Sequence, residues 1–145
     1  MKDTTGKDLK RFNYLLGETE AAYHEASLRL GLSDSAMRIL YAICDSGDGC
    51  ALGTIRRHSG LAKQTMNSAL RKMEAQGALY LESVGGKEKT AHLTEAGKAL
   101  AEKTAVRILN IENDIFACWS DEEVKEYLRL TEQFLNGFRK RAAQL

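Results

Sequence analysis

A chain of 145 residues is long enough for one domain with a sizeable core, and its 43% hydrophobic and 28% charged residues are typical of a globular protein rather than a disordered one. No apolar run approaches the roughly 20 residues of a membrane helix, and no apolar segment follows the charged N-terminus. We therefore expect a cytoplasmic protein without a membrane span or secretory signal. The net charge of +1 is uneven, since residues 51–107 carry +5 and each flanking segment carries −2. This distribution predicts a basic surface suited to a polyanion.

Two helices are predicted before that basic segment. The first covers residues 8–30, because apolar residues recur there at helical spacing. These residues are Leu9, Phe12, Leu16, Tyr23, Ala26 and Leu30. Ser33 is the predicted N-cap of a second, mostly buried helix that ends before Asp45. The loop after it contains Asp and Gly but lacks the alternating oxygen ligands and distal Glu of a calcium loop, so no metal site is expected.

The stretch from Ala51 to His92 predicts a helix, a turn, a second helix and a hairpin. The first helix is short and ends at Gly60, and the second is longer, with Gly77 as a left-handed C-cap. Apolar residues mark the buried face of the longer helix: Met66, Ala69, Leu70 and Met73. Its opposite face carries Gln64, Asn67, Ser68 and Arg71. Amides, a hydroxyl and a guanidinium are the groups that contact base edges and phosphates in a major groove.

The hairpin alternates apolar and polar residues and turns at Gly85 and Gly86, which gives it a lysine-bearing tip. One connecting helix is predicted from Glu95 to about Cys118. Ser120 and Glu123 have the spacing of a capping box, and a last helix follows. Its apolar stripe comprises Val124, Tyr127, Leu128, Phe134, Leu135 and Phe138. The chain is thus expected to contain five or six helices and one small hairpin.

This order of elements resembles the MarR family of transcriptional regulators. The resemblance is carried by Leu61–Gly77, by the hairpin, and by Leu93-Thr94-Glu95-Ala96-Gly97, which is similar to the family's LT-x-x-G start of the helix after the wing. It implies one domain over residues 1–145 that is mainly α with a small β-hairpin wing. The implied parts are a winged helix-turn-helix at 33–93, a connecting helix at 94–118, and N- and C-terminal dimerisation helices at 8–30 and 121–141.

The two terminal apolar stripes also point to a dimer on physical grounds, because each would be best buried against a copy of itself. We therefore predict a C2 homodimer. The family resemblance further implies a DNA-binding regulator, commonly a ligand- or redox-responsive repressor. Bound to double-stranded DNA, a two-fold dimer would require a pseudo-palindromic operator.

The predicted DNA-binding residues are Arg56, Lys63, Gln64, Thr65, Asn67, Ser68, Arg71, Lys87 and Lys89. Gln64 and Asn67 suit adenine, and Arg71 suits guanine or a phosphate. Phosphate contacts near the start of the helix are predicted for Lys63, Thr65 and Ser68. A contact with the DNA backbone is predicted for Arg56. The wing departs from the family pattern, because the common wing carries Asp and Arg around its tip, whereas this tip reads Gly85-Gly86-Lys87-Glu88-Lys89. Lysine is a point charge, which favours contact with the backbone over base readout. Each lysine also fits a solvated surface.

Members of the family often bind a small aromatic effector between the dimerisation helices and the winged domain. Five residues could line such a cleft: Tyr14, Tyr23, His24, Arg38 and Tyr41. Each also fits an ordinary core or surface role. Other members sense oxidants through cysteine, and Cys118 beside Trp119 is the candidate here, although a hydrophobe-like Cys fits as well.

The chain has three cysteines, an odd number, and no two of them have CxxC spacing. Neither a disulfide framework nor a zinc site is therefore expected. No nucleophile–base constellation or cofactor motif occurs, so we expect neither an enzyme nor a bound cofactor. An alternative function is a winged helix that docks an acidic protein instead of DNA. The polar face of the second helix favours DNA, because a protein-docking face is expected to carry aromatic anchors.

Overall fold

The computed structural model describes residues 5–47, 49–83, 85–86 and 88–145. Within them the chain is mainly helical with a small antiparallel sheet, which confirms the predicted fold class. The elements in order are α1 Thr5–Arg29, α2 Asp34–Ser46, β1 Cys50–Ala51, α3 Leu52–Ser59, α4 Lys63–Ala75, β2 Leu79–Glu82, β3 Thr90–Leu93, α5 Glu95–Lys103, α6 Ala105–Ala117 and α7 Asp121–Ala142. They form two compact units, Met1–Arg107 and Ile108–Leu145.

The core of the first unit lies where α2, α3 and α4 meet the sheet. Its largest fully buried side chains are Ile39, Leu40, Ile43, Ile55, Leu70 and Leu79. In α2 the apolar residues cover most of the helix surface, and in α4 they follow a stripe with a spacing of three and four residues. Ser33 caps α2 as predicted, since its hydroxyl accepts a hydrogen bond from Ala36 N at 3.2 Å.

The wing is part of a three-stranded sheet in the order β1–β3–β2, rather than the two-stranded hairpin predicted from the sequence. β2 and β3 pair in the expected antiparallel hairpin, with Leu81 opposite Ala91. The added strand β1 pairs Cys50 with Ala91 and Ala51 with Thr90. Two residues are too short to show an alternating pattern, so the sequence gives no signal for this strand.

A tight junction connects α4, β2 and α5. Gly77 has a φ of 78° and ends α4 as predicted, while Ala78 N donates to Met73 O at 2.9 Å in a Schellman arrangement. Thr94 caps α5 by accepting from Gly97 N at 3.0 Å, and its hydroxyl donates to Gly77 O. A Cβ on Gly97 would collide with the Ala78 carbonyl oxygen. The LT-x-x-G segment therefore needs its glycine for close packing.

The prediction of one connecting helix over residues 94–118 is wrong. The segment forms two helices, α5 and α6, that are separated at Thr104, where φ is −132° and ψ is −89°. Thr104 is buried, and its hydroxyl donates to Leu100 O at 2.7 Å. The apolar spacing continues across the break and no Gly or Pro marks it, so the sequence predicts an uninterrupted helix.

Two helices leave broad apolar faces open to solvent. In the second unit no residue of α7 is buried, and its apolar side chains are 44–63% exposed from Tyr127 to Phe138. In the first unit the same holds for the N-terminal part of α1, where Leu9 is 55% and Leu16 47% exposed. These exposed faces are the terminal apolar stripes expected from the sequence.

Aromatic rings pack together at the turn between α6 and α7 in the second unit. Phe116 and Trp119 have ring centroids 5.0 Å apart, and Trp119 and Tyr127 have centroids 5.3 Å apart. Ser120 begins α7 with the predicted capping box, in which Ser120 N donates to Glu123 Oε1 at 2.9 Å and Glu123 N donates to Ser120 Oγ at 3.1 Å. The turn between α6 and α7 is therefore fixed by both packing and hydrogen bonds.

Candidate nucleic-acid interface

The turn between α3 and α4 is held by hydrogen bonds to its backbone. Gly60 adopts a left-handed φ of 69°, and its N–H donates to Arg56 O at 3.0 Å. Ser59 Oγ accepts from Leu61 N at 3.2 Å, and Arg38 Nη1 from α2 donates to Ser59 O at 3.0 Å. These bonds fix the direction in which α4 leaves the turn.

Helix α4 has one buried face and one open face. Met66, Leu70 and Met73 are buried against the core. On the open side five of the predicted residues are exposed, namely Lys63, Gln64, Thr65, Ser68 and Arg71, while Asn67 is half-buried. Among the described residues, none of these six side chains makes a hydrogen bond or ion pair. An α-helix fits into the major groove of DNA, which is about 12 Å wide. The open face of α4 can therefore offer unpaired donors and acceptors to DNA.

The remaining predicted DNA-binding residues lie on α3 and in the wing. Arg56 is exposed in the last turn of α3, and Lys89 is exposed just before β3. Lys87 lies outside the described residues. At the wing tip Gly85 and Gly86 have φ values of 64° and 72°, as the predicted turn requires. Neighbouring Arg57 already donates from Nη2 to Thr54 Oγ1 at 3.3 Å.

Sequence reasoning missed one acidic residue of this surface, Glu88. Its carboxylate accepts a hydrogen bond from Gly53 N in the first turn of α3. The pair is 35 residues apart in the chain, so local spacing could not reveal it. One indirect signal existed: α3 starts after Ala51, which has no side-chain capping group, and a helix start without a cap needs its amides satisfied from elsewhere.

A small cleft lies between α1 and α2 and brings three of the five predicted effector residues together. Its volume is about 150 Å³, and its lining consists of Glu20, Tyr23, His24, Ser27, Asp34, Met37 and Arg38. His24 Nδ1 is paired with Asp34 Oδ2 at 2.7 Å. The other two predicted residues lie elsewhere: Tyr14 is exposed on α1 beside Arg11, and Tyr41 packs on His58.

The three cysteines occupy different environments. Cys118 is exposed, Cys50 is buried, and Cys44 is half-buried. Burial raises the pKa of the Cys44 thiol, and the nearby Glu102 and Asp45 carboxylates raise that pKa further. Because the thiolate is the reactive form, this environment keeps Cys44 in its unreactive thiol form.

No group of three or more His, Cys, Asp or Glu side chains in the described part of the chain could hold a metal ion. None of the helices described above is both long and apolar enough to cross a bilayer.

Residues 30–89, which span the winged helix-turn-helix, match the model of the MarR family. The winged helix-turn-helix of this chain is therefore similar to that of the MarR family. MarR-family proteins are transcriptional regulators that bind DNA and are not enzymes. No curated protein sequence matches the chain.

Solved MarR-family structures share the fold over nearly the whole chain. A regulator from Silicibacter pomeroyi is 24% identical, with a TM-score of 0.71 over 92% of this chain and 90% of that one. A MarR-family regulator from Neisseria meningitidis is 16% identical, with a TM-score of 0.82 over 94% and 97%. BpsR from Bordetella bronchiseptica, whose DNA binding is regulated by 6-hydroxynicotinic acid, is 17% identical, with a TM-score of 0.63 over 86% and 98%. At these identities the likeness shows the fold.

Proposed function

We propose that this MarR-family protein is a sequence-specific DNA-binding transcriptional regulator that acts as a homodimer. The observation that carries the proposal is the open face of α4, whose polar side chains are unpaired in the described chain. Gln64 and Asn67 can each form two hydrogen bonds with adenine, and Arg71 with guanine. Lys63, Thr65, Ser68 and Arg56 hold phosphates, as do the wing lysines. The proposal includes the cytoplasmic location expected from the sequence.

The proposed dimer uses the terminal helices. Apolar faces as large as those of α1 and α7 are rarely left in water, and obligate homodimers bury surfaces of this kind. A two-fold axis presents the same α4 face twice, in opposite orientations, so the operator must be pseudo-palindromic. Both α4 helices must enter major grooves on one side of the duplex, so half-site centres lie about 10 bp apart or at a small multiple. A dimer bound across a promoter would act as a repressor.

The proposed regulation acts through the cleft between α1 and α2. A cleft of about 150 Å³ with Tyr23, His24 and Arg38 in its lining has room for a single aromatic ring. Arg38 links this cleft to the helix-turn-helix, since its guanidinium also bonds Ser59 O at 3.0 Å. An effector that bound Arg38 would compete with that bond and change the support of α4. Single-ring aromatic compounds should then include one that weakens DNA binding by the wild type but not by Tyr23→Ala. If every compound that weakens binding also acts on Tyr23→Ala, the cleft is not the effector site.

Redox control through Cys118 is the alternative form of regulation. Its thiol is exposed, so an oxidant can reach it. Peroxide treatment should then weaken DNA binding by the wild type and spare Cys118→Ser. Equal sensitivity of the two proteins would reject a role for this thiol.

Selection of bound sequences from a random duplex pool, at near-physiological salt, tests the proposed function. The enriched sequences should contain an inverted repeat with A·T pairs in each half-site, because Gln64 and Asn67 favour adenine. Footprinting of the best sequence should protect both half-sites. Enrichment of a single non-symmetric half-site would reject the dimeric arrangement. Failure to enrich any sequence would favour the alternative function, a winged helix that docks an acidic protein.

A further inference from the structure

The start of α3 depends on the wing for its backbone hydrogen bonds. Its N-cap residue, Ala51, has no side chain that can accept a hydrogen bond. Two amides of the first turn are instead satisfied by the segment before β3. Leu52 N donates to Lys89 O at 3.1 Å, and Gly53 N donates to Glu88 Oε1. Two consecutive wing residues therefore attach to two consecutive helix residues.

Gly53 provides the space that the Glu88 carboxylate occupies. A Cβ at residue 53 would lie 2.5 Å from Glu88 Oε1 and 3.4 Å from Arg57 Nη1. No real Cβ tolerates the first distance, so any side chain there would displace the carboxylate. In its present place the carboxylate gains from the positive end of the helix dipole. The hydrogen bond thus needs both residues: Glu88 supplies the acceptor, and Gly53 supplies the donor and the space for the carboxylate.

The same contact determines how the wing presents its charge. Glu88 is flanked in sequence by Lys87 and Lys89, and Lys89 is exposed. A free carboxylate between two lysines would repel DNA phosphates and cancel part of their attraction. Bound to the amide of Gly53, the carboxylate is held at α3, and the backbone of Lys89 is anchored next to it.

We propose that Glu88 is a positioning residue of the DNA interface. It fixes the wing to α3 through a clasp, which consists of the bonds from the Gly53 and Leu52 amides to Glu88 and Lys89, and its negative charge is held at the positive end of that helix instead of being free between the wing lysines. This inference rests on the proposed DNA-binding function. It assigns to an acidic residue a role in binding a polyanion. It also predicts that the glycine at position 53 matters for DNA affinity although it offers no side chain.

Three variants test the clasp: Gly53→Ala, Glu88→Ala and the double variant. Affinity for the selected operator is measured at two salt concentrations. Gly53→Ala should bind roughly threefold or more weakly, with a salt slope lower by about one unit, because it breaks the clasp and frees the carboxylate. Glu88→Ala should bind less tightly than the wild type but more tightly than Gly53→Ala, because it breaks the clasp without freeing a charge. The double variant should match Glu88→Ala.

The design separates positioning from stability. Alanine is the better helix former, so Gly53→Ala should keep or raise the urea midpoint while DNA affinity falls. A merely structural role would lower both together. Wild-type affinity and salt slope in Gly53→Ala would overturn the proposal. A double variant no tighter than Gly53→Ala would overturn the part about charge.

Amide hydrogen exchange in the free protein separates the clasp from the proposed function. Glu88→Ala should speed exchange at the amides of residues 52 and 53, and a control amide in the core, Leu70, should be unaffected. Unchanged exchange at residue 53 would show that the clasp does not form. If the wild type binds no duplex specifically but exchange does change, the clasp exists and the DNA-binding proposal fails.

Discussion

Arg71 lies on the open face of α4, and its guanidinium can bond guanine at two atoms. We expect Arg71→Ala to weaken operator binding by roughly 1–3 kcal/mol. A loss confined to the operator would show base contact. A uniform loss on all duplexes, with a shallower salt slope, would show phosphate contact. Lys125→Ala, which removes a positive charge outside the winged helix-turn-helix, is the control. Isotherms unchanged by Arg71→Ala would argue against α4 in the groove.

Gly97 is required because the packing around it leaves no space for a side chain. Because its added Cβ would collide with the Ala78 carbonyl oxygen, the backbone must shift to admit any side chain. We expect Gly97→Ala to lower the free energy of unfolding by about 1–3 kcal/mol in urea titrations. Gly17→Ala is the matched control, since nothing lies within 4 Å of its Cβ position and alanine favours a helix. Equal stability of the two variants would contradict the packing argument.

Among the elements, α7 begins with a capping box formed by Ser120 and Glu123. Ser120→Ala should lower the free energy of unfolding by about 1 kcal/mol at neutral pH. Two hydrogen bonds lower the pKa of the Glu123 carboxyl from its ordinary value of 4.5. The larger effect comes from the bond with the Ser120 backbone N–H, and the smaller from the bond with the Ser120 side chain. A lowered folded pKa means that the Glu123 contribution is complete above pH 4.5 and is lost as the pH falls through the folded pKa. Relative to Glu123→Gln, wild-type stability should therefore be constant above pH 4.5 and decline below it. A difference that does not vary with pH would contradict this.

Elements with a strong local signal were predictable from the sequence. Helix α4 could be recognised because Met66, Leu70 and Met73 follow one stripe and Gly77 supplies the left-handed C-cap. The break at Thr104 could not, since the apolar spacing runs through it and no Gly or Pro marks it. Strand β1 has two residues and exists only through its pairing with β3.

The candidate site divides in the same way. The outward residues of α4 follow from helical periodicity, which assigns a face to each position. The contact of Glu88 with Gly53 joins distant parts of the chain, and from the sequence the acid resembles one more solvated charge in the wing. Tyr14 and Tyr41 shared a helical setting with Tyr23, but facing one cleft depends on helix rotation and packing, which aromatic content does not specify.

For the whole molecule, the exposed apolar faces of α1 and α7 predict a homodimer. Sedimentation at micromolar concentration should give about twice the chain mass of 16.1 kDa. Phe134→Glu should dissociate or unfold the protein, because a charge would be buried without a partner. Lys125→Glu changes the charge on the same helix without touching its aromatic residues and should leave the mass unchanged. A wild type that sediments as a single chain would reject the dimer and the two-half-site operator with it.

The aromatic rings at the α6–α7 turn include a tryptophan, whose intrinsic fluorescence can be used to follow this part of the protein. Trp119 is the one tryptophan in the chain, and its ring packs there against those of Phe116 and Tyr127. Its emission therefore reports the second unit alone, whereas far-ultraviolet circular dichroism averages over every helix. Denaturation curves from the two signals coincide if both units unfold together and separate if one melts first. Alkylation of the exposed Cys118 would attach a quencher one residue from the indole, which allows the same turn to be followed as DNA binds.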